Sequence, residues 1–313
     1  MADFTREEIE EKLEEYAALL ASREEEDEFI DDAPQIEEAV SEEEENPDDA
    51  QEGEAAETDE AAETDEAAEE EVVEDEEPGL ESVFEGKDLS GLDLSGLNFL
   101  GISLQKTSLK NTNLSNCTLT DSNLDQANLD QANLSDADME NISCLEGVMT
   151  HANMEAANLQ GAKLLGTDFS ESNMERANFR RSKSMETKLV KCNLKDTDFS
   201  NSDFSRANLK GAKITDSDLS RARFNGADFE GTDFTDSRLS MGVFFEANFK
   251  SANLTRALIK GAKLAGGNFA GAQLTRADIT GADLTGASFH NADLRRAKLN
   301  GAILRRADLR DSD

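Results

Sequence analysis

Residues 127–139 read Ala127-Asn128-Leu129-Asp130-Gln131-Ala132-Asn133-Leu134-Ser135-Asp136-Ala137-Asp138-Met139. A small residue, an Asn or Asp, and a large apolar residue recur every five positions. The same triplet returns as Ala152-Asn153-Met154 and Ala157-Asn158-Leu159, and much later as Ala282-Asp283-Leu284, Ala292-Asp293-Leu294 and Ala307-Asp308-Leu309. Followed in both directions, every large apolar centre carries a number ending in 4 or 9. From Leu89 to Leu309 there are 45 such centres, and 43 are Leu, Phe, Ile or Met; Cys144 and Ser184 are the exceptions. Two residues before each centre, 40 of the 45 positions hold Ala, Ser, Thr, Cys or Gly, the exceptions being Lys87, Leu92, Leu97, Ile102 and Ile142. No insertion breaks the phase, so one structural unit is repeated throughout.

A period of five matches neither the strand period of 2 nor the helix period of 3.6. It calls for a backbone that turns through a fixed angle every five residues. Four such turns close a square coil of 20 residues. The centre and the small residue before it then point inward, and the other three positions face water. Small residues are needed because a one-chain coil has no room for two large side chains per edge. Coils stack by backbone hydrogen bonds at the strand spacing of about 4.8 Å, so the 45 centres make a rod of about eleven coils. Gly161, Gly211, Gly231, Gly261, Gly271, Gly281 and Gly301 fall two after a centre, where a turn calls for positive φ. No proline follows Pro78, which keeps the ladder of N–H donors intact.

The repeated small-[Asn/Asp]-[Leu/Phe]-x-x unit over residues 87–311 resembles the pentapeptide-repeat family. The resemblance implies an all-β solenoid, a right-handed quadrilateral β-helix; the period alone leaves the hand open. Four segments are expected: an amphipathic helix over 1–23, an acidic low-complexity linker over 24–79, an N-terminal cap over 80–86 and the repeat rod over 87–313. At the far end Arg305, Arg306 and Arg310 counter end-to-end association, so a monomer or a weak end-to-end assembly is expected.

The formal net charge of −38 is unevenly placed. Residues 1–86 hold 39 acidic and 3 basic residues, whereas 87–313 hold 30 and 28. The segment from Glu24 to Glu77 has few apolar residues and repeats Ala-Ala-Glu-Thr-Asp-Glu from Ala55. Such a chain cannot bury enough apolar surface to offset its ordering entropy, which predicts disorder. Before it, Thr5 with Glu8 forms a capping box, and Ile9, Leu13, Tyr16 and Leu20 follow at helical spacing. Two readings of this helix stand side by side: one resting on the rod, and one docking into a partner's groove through those four residues. The global charge argues against direct binding to nucleic acid. No apolar run is long enough to span a membrane, and the start of the chain lacks a secretory pattern. Cytoplasmic residence is therefore expected, with export by a specialised secretion system left open.

In a 20-residue coil, residues 20 apart share a column. Lys163, Lys183, Arg223 and Lys263 fall in one column, with Arg181 and Arg221 beside them. Leu145, Leu165, Met185 and Phe245 form an outward apolar column next to this basic face. The face is either a binding stripe or a solvated charge ladder. The apolar column has its own alternative, a local register shift in which Met185 and Phe245 turn inward in place of Ser184 and Phe244. Arg256, Arg276 and Arg296 form a second basic column, continuing Asp196, Asp216 and Asp236. Candidate partner-binding residues are thus Ile9, Leu13, Tyr16, Leu20, Lys163, Arg181, Lys183, Met185, Arg221, Arg223, Phe245 and Lys263.

Three Cys at inward positions predict buried thiols, and His151 and His290 read as isolated. No phosphate-cradling or nucleophile-elbow motif is present, and no cofactor or metal is expected. The expected role is a non-enzymatic protein-interaction scaffold, a rigid rod with an acidic tether and a docking helix. The resemblance adds two alternatives: a DNA-mimicking modulator of a type II topoisomerase such as gyrase, and a secreted or injected bacterial effector.

Overall fold

Each five-residue unit builds one edge and one corner of a coil. At the corner Leu104–Thr107, the Thr107 N–H donates to the Leu104 carbonyl at 3.1 Å, and Lys106 has φ of 58°. A third residue with positive φ marks a type II turn. The same holds at every fifth residue from Gly86 to Asp311, whether glycine or not. A computed structural model gives this arrangement; it describes residues 2–31 and 79–313. The expected acidic linker therefore falls, from residue 32 onward, outside the described residues.

Four corners return the chain to its starting azimuth. Leu89 N–H donates to Ser108 O and Ser108 N–H to Lys87 O, both at 2.8 Å. Parallel bridges pair residues 20 apart, from Asp88 with Ser108 to Ser288 with Asp308. One residue per edge takes part in each bridge, so the sheet faces are columns of single-residue bridges.

The Asn/Asp position has a twofold use. Its Oδ1 accepts the N–H two residues on, as Asn113 does from Ser115 (3.3 Å) and Asp233 from Thr235 (3.0 Å). Where it is Asn and the residue one coil earlier is Asn or Asp, Nδ2 also donates to that residue. Asn133, Asn153, Asn173 and Asn193 each donate to the preceding Asn at 2.8–3.1 Å. The ladder ends on Asp93, which accepts from Asn113 at 2.8 Å; a carboxylate, being acceptor only, suits that terminal place.

The lumen holds the centres, nearly all fully buried. Inward hydroxyls and thiols donate to the carbonyl of a centre in the previous coil: Thr112 Oγ1 to Leu89 O, Cys192 Sγ to Phe169 O and Thr232 Oγ1 to Leu209 O. This is why Ser, Thr and Cys serve as well as Ala here. Ser184 and Phe244 point inward, while Met185 and Phe245 are exposed, so the phase holds through both sites without a register shift.

The N-terminal end is covered. Thr5 and Glu8 close a capping box, with Thr5 N–H on Glu8 Oε2 at 2.7 Å and Glu8 N–H on Thr5 Oγ1 at 3.3 Å. The helix α1 that follows runs Arg6–Asp31, eight residues past the expected end; half of the added stretch is Glu, a good helix former. Over its first turns it lies against the first coil. Ile9 is fully buried and Leu13 nearly so, in one cluster with Phe84 and Leu89. Phe4 meets Phe84 edge-on at 5.5 Å. The open backbone edge of that coil finds partners here as well: Asp3 N–H on Asp88 O and Asp88 N–H on Asp3 Oδ2 (both 2.6 Å), Arg6 on Asp93 O (2.9 Å), and Ser103 N–H on Glu81 O (2.7 Å). An exposed sheet edge is a template for unwanted pairing, and this segment covers it. At the other end, Leu294, Leu299 and Leu304 are half-buried and Leu309 is 42% exposed.

Candidate partner-binding face

The bridges Lys163–Lys183, Lys183–Asp203, Asp203–Arg223, Arg223–Val243 and Val243–Lys263 put the expected basic column on one face of the stack. Arg181 and Arg221 occupy the adjoining corner, with φ of 58° and 60°. Arg181, Lys183, Met185, Asn201, Asp203, Arg221 and Arg223 line a depression of about 280 Å³. Asp203 lies 3.8 Å from Arg223 and offsets one charge. Among the described residues, Lys163, Arg181, Lys183, Arg221 and Lys263 make no ion pair. By contrast, Arg206 lies 2.6 Å from Glu186, and Lys188 is 3.2 Å from Asp168. The face is therefore basic because five of its six cations make no ion pair among the described residues and Asp203 offsets only Arg223.

Apolar side chains stand beside these charges. Leu165, Met185 and Phe245 are each about two-fifths exposed. Met241, at 60%, is the most exposed large apolar residue described, and sequence reasoning missed it. It lies in the Arg221 column, which was read for charge alone. The available signal was a Met at a corner position that Gly161 and Gly261 fill in the same column. A Cβ on Gly261 would lie 2.8 Å from Met241 Sδ, so the glycine makes room for the Met side chain.

The four helix residues are placed differently. Ile9 and Leu13 belong to the core, and Tyr16 overlies the first coil, its hydroxyl 3.4 Å from where a Cβ on Gly101 would be. Their apolar face is occupied by the rod itself, so the docking reading of these three residues gives way to the resting one. The physical reason is that the first coil has an apolar end, which this segment covers. Leu20 is half-buried and belongs to a separate unit, Ala18–Glu77.

Burial pushes the thiols of Cys144 and Cys192 up to about 12 and that of Cys117 to about 11; all three are free. The histidines are not isolated. His151 lies 3.1 Å from Asp130 and 3.5 Å from Glu171, and His290 lies 3.4 Å from Asp311. Stacking of 20-residue coils brings these residues side by side, which linear distance hides. Hydrogen bonds from Thr150, Gln131 and His151 hold the Asp130 carboxyl down to about 2. Among the described residues there is no group of three or more potential metal ligands and no helix long and apolar enough to cross a membrane.

Two family models match the chain: "Pentapeptide repeat region" over 152–234, and "Pentapeptide repeats (8 copies)" over 107–143, 243–281, 252–291 and 287–313. Among solved structures, HetL, a pentapeptide repeat protein involved in heterocyst differentiation regulation from the cyanobacterium Nostoc sp. strain PCC 7120, is 23% identical. That match covers 72% of this chain and 88% of HetL, with a TM-score of 0.39. A pentapeptide repeat protein of the Arabidopsis thaliana thylakoid lumen is 33% identical over 32% of this chain and 69% of its own, with a TM-score of 0.31. A trypsin-treated form of QnrB1, a plasmid-mediated fluoroquinolone resistance protein, is 18% identical over 69% of this chain and 88% of its own, with a TM-score of 0.36. No functionally curated protein matches the chain.

Proposed function

Because the chain belongs to the pentapeptide-repeat family, whose fold is the right-handed quadrilateral β-helix, we propose that it acts as a non-enzymatic protein-interaction scaffold through its Lys163–Lys263 face. One observation carries this reading: cations without ion partners of their own surround exposed Leu165, Met185, Met241 and Phe245. Clustered apolar exposure of this kind marks contact surfaces. Met241 sharpens the point. It is the most exposed large apolar side chain described and stands on this face, at a corner that Gly161 and Gly261 fill elsewhere in the column. The fitting partner is a protein surface with carboxylates around large apolar side chains. The acidic segment 24–79 serves as a tether at the opposite, capped end. A DNA-mimicking rod needs acid along its whole length, whereas residues 176–313 carry 24 basic and 17 acidic residues, which speaks against the topoisomerase alternative.

The test compares proteins that co-purify from the native cell with the unmodified chain and with two variants. One carries Arg181→Glu, Lys183→Glu, Arg221→Glu and Arg223→Glu; the other carries Met241→Ser and Phe245→Ser. The reading expects the same partner to be lost from both while circular dichroism stays unchanged. Full retention by both folded variants contradicts it.

A further inference from the structure

A different corner of the coil reverses its charge within the C-terminal half of the rod. It reads Asp196, Asp216, Asp236 and then Arg256, Arg276, Arg296. All six are exposed and all have positive φ. Their stacking is direct: the N–H groups of Asp196, Asp216, Asp236, Arg256 and Arg276 donate to the carbonyls of Thr215, Thr235, Thr255, Thr275 and Arg295 at 3.0–3.2 Å. Successive corners are one coil apart, so the column is about 24 Å long.

Only the two residues at the reversal satisfy each other. Arg256 Nε donates to Asp236 Oδ1 at 2.6 Å, and a second bond joins Arg256 Nη2 to Asp236 Oδ2. Asp196 is 3.3 Å from Lys195. Among the described residues, Asp216, Arg276 and Arg296 make no ion pair. Like charges thus stand in register on both sides of the reversal. On the basic side, Thr255, Arg256, Thr275, Arg276, Arg295 and Arg296 line a depression of about 360 Å³. Half-buried Thr215, Thr235, Thr255 and Thr275 run beside the column, so another surface can come close.

We propose that this corner is the interface of an antiparallel homodimer. A second copy, turned end for end, lays its Asp196, Asp216 and Asp236 against Arg296, Arg276 and Arg256, and receives the same contacts in return. One two-fold axis through the reversal makes both sets at once, as an isologous interface requires. The same axis sets Thr215 against Thr275, Thr235 against Thr255 and Asp198 against Lys298. It also opposes Lys195 to Arg295 and Asp218 to Asp278. Three of these four are already offset on their own chain: Lys195 by Glu175, Arg295 by Asp293 and Asp278 by Lys260. A parallel pair would set Asp on Asp and Arg on Arg. A free polyanion would fit only the three arginines and be repelled by the three aspartates. The antiparallel sense also sends the two acidic N-terminal segments, which join the rod at its first coil, to opposite ends. The contact is one corner wide, so it belongs to the small, weak class of interfaces, and its charges make it salt-sensitive.

The test is sedimentation equilibrium of the full chain and of two triple variants, with circular dichroism to check that each folds. One variant has an all-acidic corner (Arg256→Asp, Arg276→Asp, Arg296→Asp) and the other an all-basic corner (Asp196→Arg, Asp216→Arg, Asp236→Arg). The unmodified chain should dimerise, with a dissociation constant that rises at least about tenfold between about 0.05 M and 0.5 M salt. Each variant alone should be monomeric, and an equimolar mixture should restore a dimer. If a triple variant loses its circular dichroism signal, the mixture of Arg276→Asp with Asp216→Arg replaces it, each single variant dimerising less than the mixture. An unmodified chain that stays monomeric overturns the proposal. So do folded variants that dimerise like the parent, and a mixture that stays monomeric.

Discussion

Two stretches of the rod share one backbone and differ in nearly everything attached to it. From Leu104 to Leu164 the centres are Leu, Met and Cys144, and no aromatic ring enters the lumen. From Phe169 to Phe289 rings stack from coil to coil; Phe229, Phe249, Phe269 and Phe289 form a near-parallel pile with centroids 4.8–4.9 Å apart. Outside, residues 87–175 carry 4 basic and 13 acidic residues, and 176–313 carry 24 and 17. The difference teaches that the corner turns and the Asn/Asp capping set the frame. Lumen and surface then vary independently, so surface charge, and not fold, separates the half that holds most of the candidate face.

The strongest way to break the comparison is in the ring pile. Phe249→Ala removes contacts to Phe229, Phe244 and Phe269 and should destabilise by about 3–5 kcal/mol. Its neighbour Asn248 points outward, and Asn248→Ala should cost about 1 kcal/mol. Urea titrations of both variants check the pair; equal losses would undo the inward/outward assignment. Next is the cap. Ile9→Ala should cost about 2–4 kcal/mol, read from the same titration. A neutral result would mean that α1 does not cover the first coil.

Leu129→Phe sharpens the contrast between the two lumens. The Leu-lined stretch has no ring-shaped space, so overpacking should cost about 1–3 kcal/mol; a neutral or stabilising effect would make the stretches interchangeable. The smallest effect is in acid. Asp130 is held down to about 2 in the folded protein, below its ordinary value of 3.8. The folded state therefore favours the ionised form. That contribution is present above about pH 4 and is lost as the pH falls toward about 2. Asp130→Asn should flatten this part of the stability curve in thermal melts, and an unchanged curve would remove His151, Thr150 and Gln131 as its cause.

Much of this was legible in the sequence because the period acts directly on geometry. The phase gave the inward residues, leaving only Ser184–Met185 and Phe244–Phe245 open between two registers, and it placed Lys163, Lys183, Arg223 and Lys263 in one column. Less legible was anything that depends on what covers a surface. The spacing of Ile9, Leu13 and Tyr16 shows an apolar helix face but not its occupant, so the resting and docking readings are both compatible with it, and the first coil beneath the helix decides between them. Met241 was missed because corners read as polar turns, and the structure shows that unbranched apolar residues such as Met241 and Ala156 also take the left-handed corner. The pairing of His151 with Glu171 follows from the 20-residue coil, but its short reach to Asp130 depends on side-chain direction, which periodicity does not carry.

The most direct test of the interaction face is site-specific photo-crosslinking in the native cell. A photoreactive phenylalanine analogue is placed at position 245 on the basic face and, in a second protein, at Leu100, equally exposed (40%) but on the first coils. The account predicts a discrete protein adduct at 245 that disappears when Arg221→Glu and Arg223→Glu are added, and none at 100. Equal adducts at both positions, or an adduct at 245 indifferent to the charge reversals, would contradict it.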